Sequence, residues 1–171
     1  MTARTYGSVE IDDGGVFDML ARLRKVGGDQ TEVLKLIGEK IKGKVLLGFQ
    51  SSTDPWGVPW LPLAPGGRVG QPLRHTDELM KSIDHAVTGG DTVEVGTNYG
   101  QLAGGGSVAG VHQFGTDRAG RGRNVKIPAR PFFPVSEYAA LPRDWSDDIL
   151  AVIGDAIADA IDASGGAPPA A

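Results

Sequence analysis

Cysteine is missing from this chain altogether, which excludes a disulfide framework, thiolate catalysis and any zinc site built on sulfur. Histidine is nearly as scarce. His75, His85 and His112 are the only three, and no two stand four residues apart, as a metal pair on one helical face requires. No hydrophobic run reaches the roughly 18 apolar residues of a membrane-spanning helix, and residues 1–7 lack the apolar stretch of a signal peptide. The chain is therefore expected to be soluble and cytosolic when made, with no membrane contact. Positive charge is not in excess either: a net charge of -4 and a pI near 5.3 supply no overall attraction to nucleic acid.

Motifs that carry known chemistry are also absent. Residues 96–101 and the glycines after them offer bare backbone amides, but the stretch lacks the G-x-x-x-x-G-K-[ST] pattern of a phosphate cradle. No serine sits in a G-x-S-x-G elbow. His75 with Asp77, and Asp84 with His85, flank a short predicted helix, where capping or solvent contact accounts for them. Asp147, Asp148, Asp155 and Asp159 fall on the polar side of a terminal helix. No catalytic, metal or cofactor residue is assigned, no cofactor is expected, and the reading is of a non-enzymatic chain. The enzymatic alternative is a hydrolase using His112.

What the sequence does contain is glycine and proline, 26 and 11 of 171 residues, so much of the chain is loop. The 40% hydrophobic and 22% charged content is nevertheless that of a globular protein, and the length suits one domain that buries a core unaided. Residues 8–12 read as a short strand and 16–23 as an amphipathic helix ended by Gly27 and Gly28. Asp29, with Glu32 three residues on, caps a long helix over 30–49, in which Val33, Leu34, Ile37, Ile41, Val45 and Phe49 recur at three- and four-residue spacing. Five prolines and four glycines forbid regular structure over 51–72. Trp56, Trp60, Leu61 and Leu63 make that loop too apolar to be a free linker, so it folds back on the domain or docks on a neighbour.

Further along, residues 76–83 read as a short helix with Thr76 as N-cap, and 92–96 alternate as a strand. Residues 108–114 fit a strand or a helical turn and are taken as a strand in the assembled fold. Arg118, Arg121, Arg123 and Lys126 lie among small residues in an arm, 116–126, expected to be a mobile loop leading into a strand over 125–133. That arm, extended by Arg130, is suited to phosphates or to an acidic neighbour. No aromatic residue interleaves with it, which argues against base stacking. Residues 144–161 form a second amphipathic helix, and 164–171 are a flexible tail with nothing to bury. The expected fold is α+β, a small, mainly antiparallel sheet packed against the long helix and the C-terminal helix.

The segment Ile127-Pro128-Ala129-Arg130-Pro131-Phe132-Phe133-Pro134 is the most distinctive stretch. Each proline restricts its predecessor to extended conformations, so the backbone is ordered before it meets anything, with Arg130 projecting as a rigid fork between apolar neighbours. Such contacts lose less entropy on docking. The plainer alternative makes Ile127, Phe132 and Phe133 strand and core residues.

Five pieces in order resemble the Mu-like virion morphogenesis family, the tail-completion or head–tail joining proteins of tailed bacteriophages. They are Trp60-Leu61-Pro62-Leu63; Leu73-Arg74-His75-Thr76 leading to Leu79 and Ser82-Ile83; Val95-Gly96-Thr97 with Tyr99; His112-Gln113-Phe114-Gly115; and Ile127-Pro128-Ala129-Arg130-Pro131-Phe132. The resemblance covers about residues 30–150. Asp77 departs from it by standing where glycine is frequent, and the glycine-rich stretch after Tyr99 is longer. The resemblance implies one tail-completion or neck domain over 1–163, with long loops at 51–72 and 100–126. It also implies a hexameric homo-oligomer ring at the neck or head-proximal tail end of the virion, formed from chains present beforehand in the host cytoplasm. The partners it implies are other neck, connector and tail proteins, with genomic DNA as the alternative contact of the basic arm. Trp56, Trp60, Leu63, Arg118, Arg121, Arg123, Lys126, Arg130 and Phe133 are the suspected interface residues.

Overall fold

A computed structural model describes residues 30–66, 69–102, 105–135 and 141–163. The strand expected at 8–12, the helix at 16–23 and the tail at 164–171 lie outside these. Helix α1, Gln30–Ser51, follows the hydrophobic period, burying Val33, Leu34, Ile37, Val45 and Phe49 on one face. It ends in a Schellman arrangement, with Ser52 left-handed at φ 58 and the Thr53 amide donating to the Gly48 carbonyl at 3.1 Å. Helix α4, Arg143–Ala163, runs antiparallel to α1. Its Ile149 and Ile153 pack on Val33 and Ile37, and Lys44 bridges Asp144 and Asp148 at 2.7 and 2.9 Å near the start of α4.

Between the helices in sequence lie α2, Glu78–Lys81; β1, Asp84–Thr88; β2, Thr92–Gly96; α3, Val108–Phe114; β3, Thr116–Ala119; and β4, Val125–Ile127. The fold is α+β, but the strands among the described residues form two separate antiparallel hairpins, β1–β2 and β3–β4. β1 is absent from the sequence reading because only Val87 among its residues is strongly apolar and alternate side chains are exposed. The β1–β2 hairpin pairs Asp84 with Gly96 through Thr88 with Thr92 and lies on α1 at Gly38. A Cβ at that glycine would stand 2.5 Å from His85 Cδ2 and 2.9 Å from Val93 Cγ2, so glycine is what lets helix and hairpin approach so closely.

Four expectations are corrected. Residues 108–114 are a helix, not a strand, because Ser107 caps it by accepting the Gly110 amide at 2.9 Å, and because the buried pair Ala109 and Gln113 has helical spacing. The strand expected over 125–133 stops at Ile127, since Pro128, Pro131 and Pro134 have no N–H to continue a ladder. The helix expected over 76–83 is a single turn from Glu78, with Asp77 rather than Thr76 at the N-cap position. Asp77 makes no capping bond there, because Arg74 holds its carboxylate at 2.8 and 3.3 Å. The arm over 116–126 likewise has more structure than a loop: it is the β3–β4 hairpin, with Gly120 and Arg123 at positive φ in its turn.

Candidate assembly interface

The proline-spaced segment lies against the core, held by residues from two other parts of the chain. Phe132 is buried beside Phe49 with ring centroids 5.3 Å apart, and Phe49 in turn meets Trp60 edge-to-face at 5.4 Å. The Trp60 indole N–H donates to the Pro131 carbonyl at 2.7 Å. Arg130 reaches the other way, its Nε donating to the Leu61 carbonyl at 2.8 Å and its Nη2 to the Pro62 carbonyl at 2.9 Å. Gln113 on α3 completes the latch. Its Oε1 accepts from the Phe132 and Phe133 amides at 3.0 Å each, and its Nε2 donates to the Phe133 carbonyl at 2.9 Å. With few neighbouring amides and prolines that donate nothing, these side chains satisfy backbone groups that a strand partner would otherwise take.

The end of α3 touches the same segment. The Arg130 amide donates to the His112 carbonyl at 2.7 Å. At Gly115, with φ 72, a Cβ would come within 2.7 Å of the Ala129 nitrogen and 3.0 Å of the Ile127 oxygen, so a side chain there would force the two segments apart. Burial, and then the charge of Arg130, lower the pKa of His112, whose Nδ1 is buried with no hydrogen-bond partner among the described residues. Burial also lowers the pKa of Arg130, and it stays charged because guanidinium ionisation lies far above neutral pH.

The suspected interface residues thus divide. Trp60 and Arg130, expected to meet a partner, are 7% and 6% exposed and serve the interior; carbonyls of the folded loop satisfy donors of a guanidinium that is buried while still charged. Phe133 packs on the core rim, 5.0 Å from Phe132, and Leu63 is half-buried. Trp56 is exposed at a cleft of about 460 Å³ that it shares with Leu47, Phe132 and Trp145. Arg118, Arg121, Arg123 and Lys126 stand exposed together on the β3–β4 hairpin, apart from the latch. Gln113, read from sequence only as a hydrogen-bonding residue, is the central polar group of the latch. Its signal is a polar residue four positions after buried Ala109.

Among the described residues there is no group of three or more His, Asp or Glu placed to hold a metal ion, and no helix long and apolar enough to cross a membrane. The ordered motifs of the sequence are instead contacts with one another: Trp60 with Pro131, Gln113 with Phe132, and Ser82 with Thr97 at 2.6 Å.

Comparison with known proteins agrees with that pattern. The model of the phage virion morphogenesis family matches residues 11–153. A curated relative, the Mu-like prophage FluMu G protein 2 of Haemophilus influenzae, is 33% identical over 128 residues, covering 75% of this chain and 79% of its own length. No solved structure matches the chain. With a family match over most of its length and a relative 33% identical over three quarters of it, the chain belongs to the phage virion morphogenesis family.

Proposed function

We propose that this chain completes the phage tail at its head-proximal end, joining head to tail as one subunit of a hexameric ring within the neck of the virion. Residues 1–163 act as one tail-completion domain, present in the host cytoplasm until assembly. Its neighbours are connector and tail proteins. A phage structural and assembly role follows from the family. The observation that carries the finer reading is the hairpin β3–β4, which sets four cations against one carboxylate, Asp117, on an exposed arm whose base is stapled to the core. A buried latch below an exposed charged arm separates folding from recognition, so partners can be bound without opening the core.

Replacing residues 118–125 with a short glycine–serine turn tests this. Thermal unfolding of the isolated protein is expected to change little, while the yield of tailed, infectious particles collapses. Normal particles from that variant overturn the reading.

The same exposed cations favour a second reading, in which the hairpin lines the channel through which the genome passes. Its signature is DNA binding by the isolated protein that weakens steeply with salt and is lost with Arg118, Arg121, Arg123 and Lys126 neutralised. Salt-independent binding, or none, leaves protein contacts.

A further inference from the structure

Two charged surfaces are left unneutralised, and they are of opposite sign. On hairpin β3–β4 the side chains of Arg121, Arg123 and Lys126 make no hydrogen bond or ion pair among the described residues. Arg118 meets only Asp117, at 3.8 Å with both side chains 80% exposed. On α4, Lys44 takes Asp144 and Asp148, but Asp147, Asp155, Asp159 and Asp162 are exposed without a partner among the described residues. Their spacing puts them on one side of the helix with exposed Ala151 and Ala158 between them. After Arg143, α4 contains no Lys or Arg. No extensive contact joins the hairpin to α4 within one molecule, and no ion pair links them among the described residues, so neither surface relieves the other's charge within the chain.

We propose that the β3–β4 hairpin of one copy docks across the acidic outer face of α4 in a second copy; this rests on the ring-subunit reading and names the contact that builds the ring. The dimensions agree. About four residues of strand place the hairpin cations along roughly 13 Å, which fits within the roughly 22 Å of helix from Asp147 to Asp162. Ala151 and Ala158 keep the surface between the carboxylates shallow, so a β-ribbon can approach it. The two surfaces are different parts of the same chain, making the contact heterologous, the class that closes into rings. Exposed ion pairs are individually weak and screened by salt, so the association is expected to be salt-sensitive and reinforced by a platform that holds the copies side by side.

Because the chain has no cysteine of its own, a full-length chain carrying both Arg123→Cys and Asp155→Cys reads the contact directly. Oxidised at low salt, it is expected to give a ladder of covalent multimers, and chains with either cysteine alone are expected to stop at dimers or below. In a cysteine-carrying background, Arg121→Glu with Lys126→Glu is expected to cut the ladder about ten-fold, as is Asp147→Lys with Asp159→Lys. The chain carrying all four reversals is expected to recover it.

A ladder indifferent to single-face reversal, no recovery in the four-fold variant, or no ladder at any concentration overturns the contact. Cations that prove to bind DNA, with the α4 reversals inert, also overturn it and assign the hairpin to nucleic acid. Virions that contain the protein and tolerate reversal of one face sink this inference while leaving the tail-completion reading standing. Virions built without the chain sink that reading itself.

Discussion

Arg130 shows how much one residue can mean different things in sequence and in space. Read along the chain, a guanidinium between prolines projects outward; in the fold it is 6% exposed and spans to carbonyls 68 and 69 residues away. Arg130→Met keeps the apolar stem but leaves the Leu61 and Pro62 carbonyls without their donor, and is expected to cost about 2 kcal/mol in chemical denaturation. An unchanged midpoint would show that the latch adds nothing to stability. His112 gives a pH dependence of definite sign. Its pKa is depressed in the folded state, by burial first and then by Arg130, so the unfolded chain binds the proton more readily. Its contribution is intact above its ordinary value of 6.5 and declines as pH falls below that toward the folded value. The melting temperature of the wild type should therefore drop on mild acidification, and His112→Leu should flatten that part of the profile. Equal slopes for the two proteins would exclude His112 as the cause. Neither effect was legible in the sequence, because both depend on what surrounds a side chain rather than on its neighbours along the chain.

At the level of elements, legibility followed hydrophobic periodicity. Helices α1 and α4 were placed within two residues at each end because each carries a long apolar stripe at helical spacing. The short elements were misread where two local contacts competed for the same residues. Asp77 is occupied by Arg74 and does not cap α2, and a seven-residue stretch with Gly110 inside it is helical because Ser107 caps it. Ser107→Ala should therefore cost about 1 kcal/mol, read as a fall in the denaturation midpoint. The packing of β1–β2 on α1 offers a sharper test. Gly38→Ala drives a methyl into the His85 ring and is expected to destabilise by about 1–3 kcal/mol. Adding His85→Ala should recover part of that loss, a non-additivity that two independent sites would not show.

For the whole molecule, the aromatic contact of Phe49 with Trp60 and Phe132 ties α1, the 51–66 loop and the proline-spaced segment into one core. Phe49 is fully buried, so Phe49→Ala is expected to cost about 3–5 kcal/mol. Against a typical total of about 5–15 kcal/mol, that should leave a visibly unfolded fraction at physiological temperature by circular dichroism. The basic hairpin is the opposite case, an element whose removal should spare folding and abolish assembly. By itself the sequence determined the two long helices, the irregularity of the proline-rich stretches, the absence of cysteine chemistry and the family, since each depends on residue identity, local order or periodicity. Only the tertiary structure decided that Trp60, Gln113 and Arg130 hold the chain together while Arg118, Arg121, Arg123 and Lys126 face outward. Burial and hydrogen-bond pairing across some 70 residues arise from how the elements pack, and no spacing along the chain encodes which side chains that packing encloses.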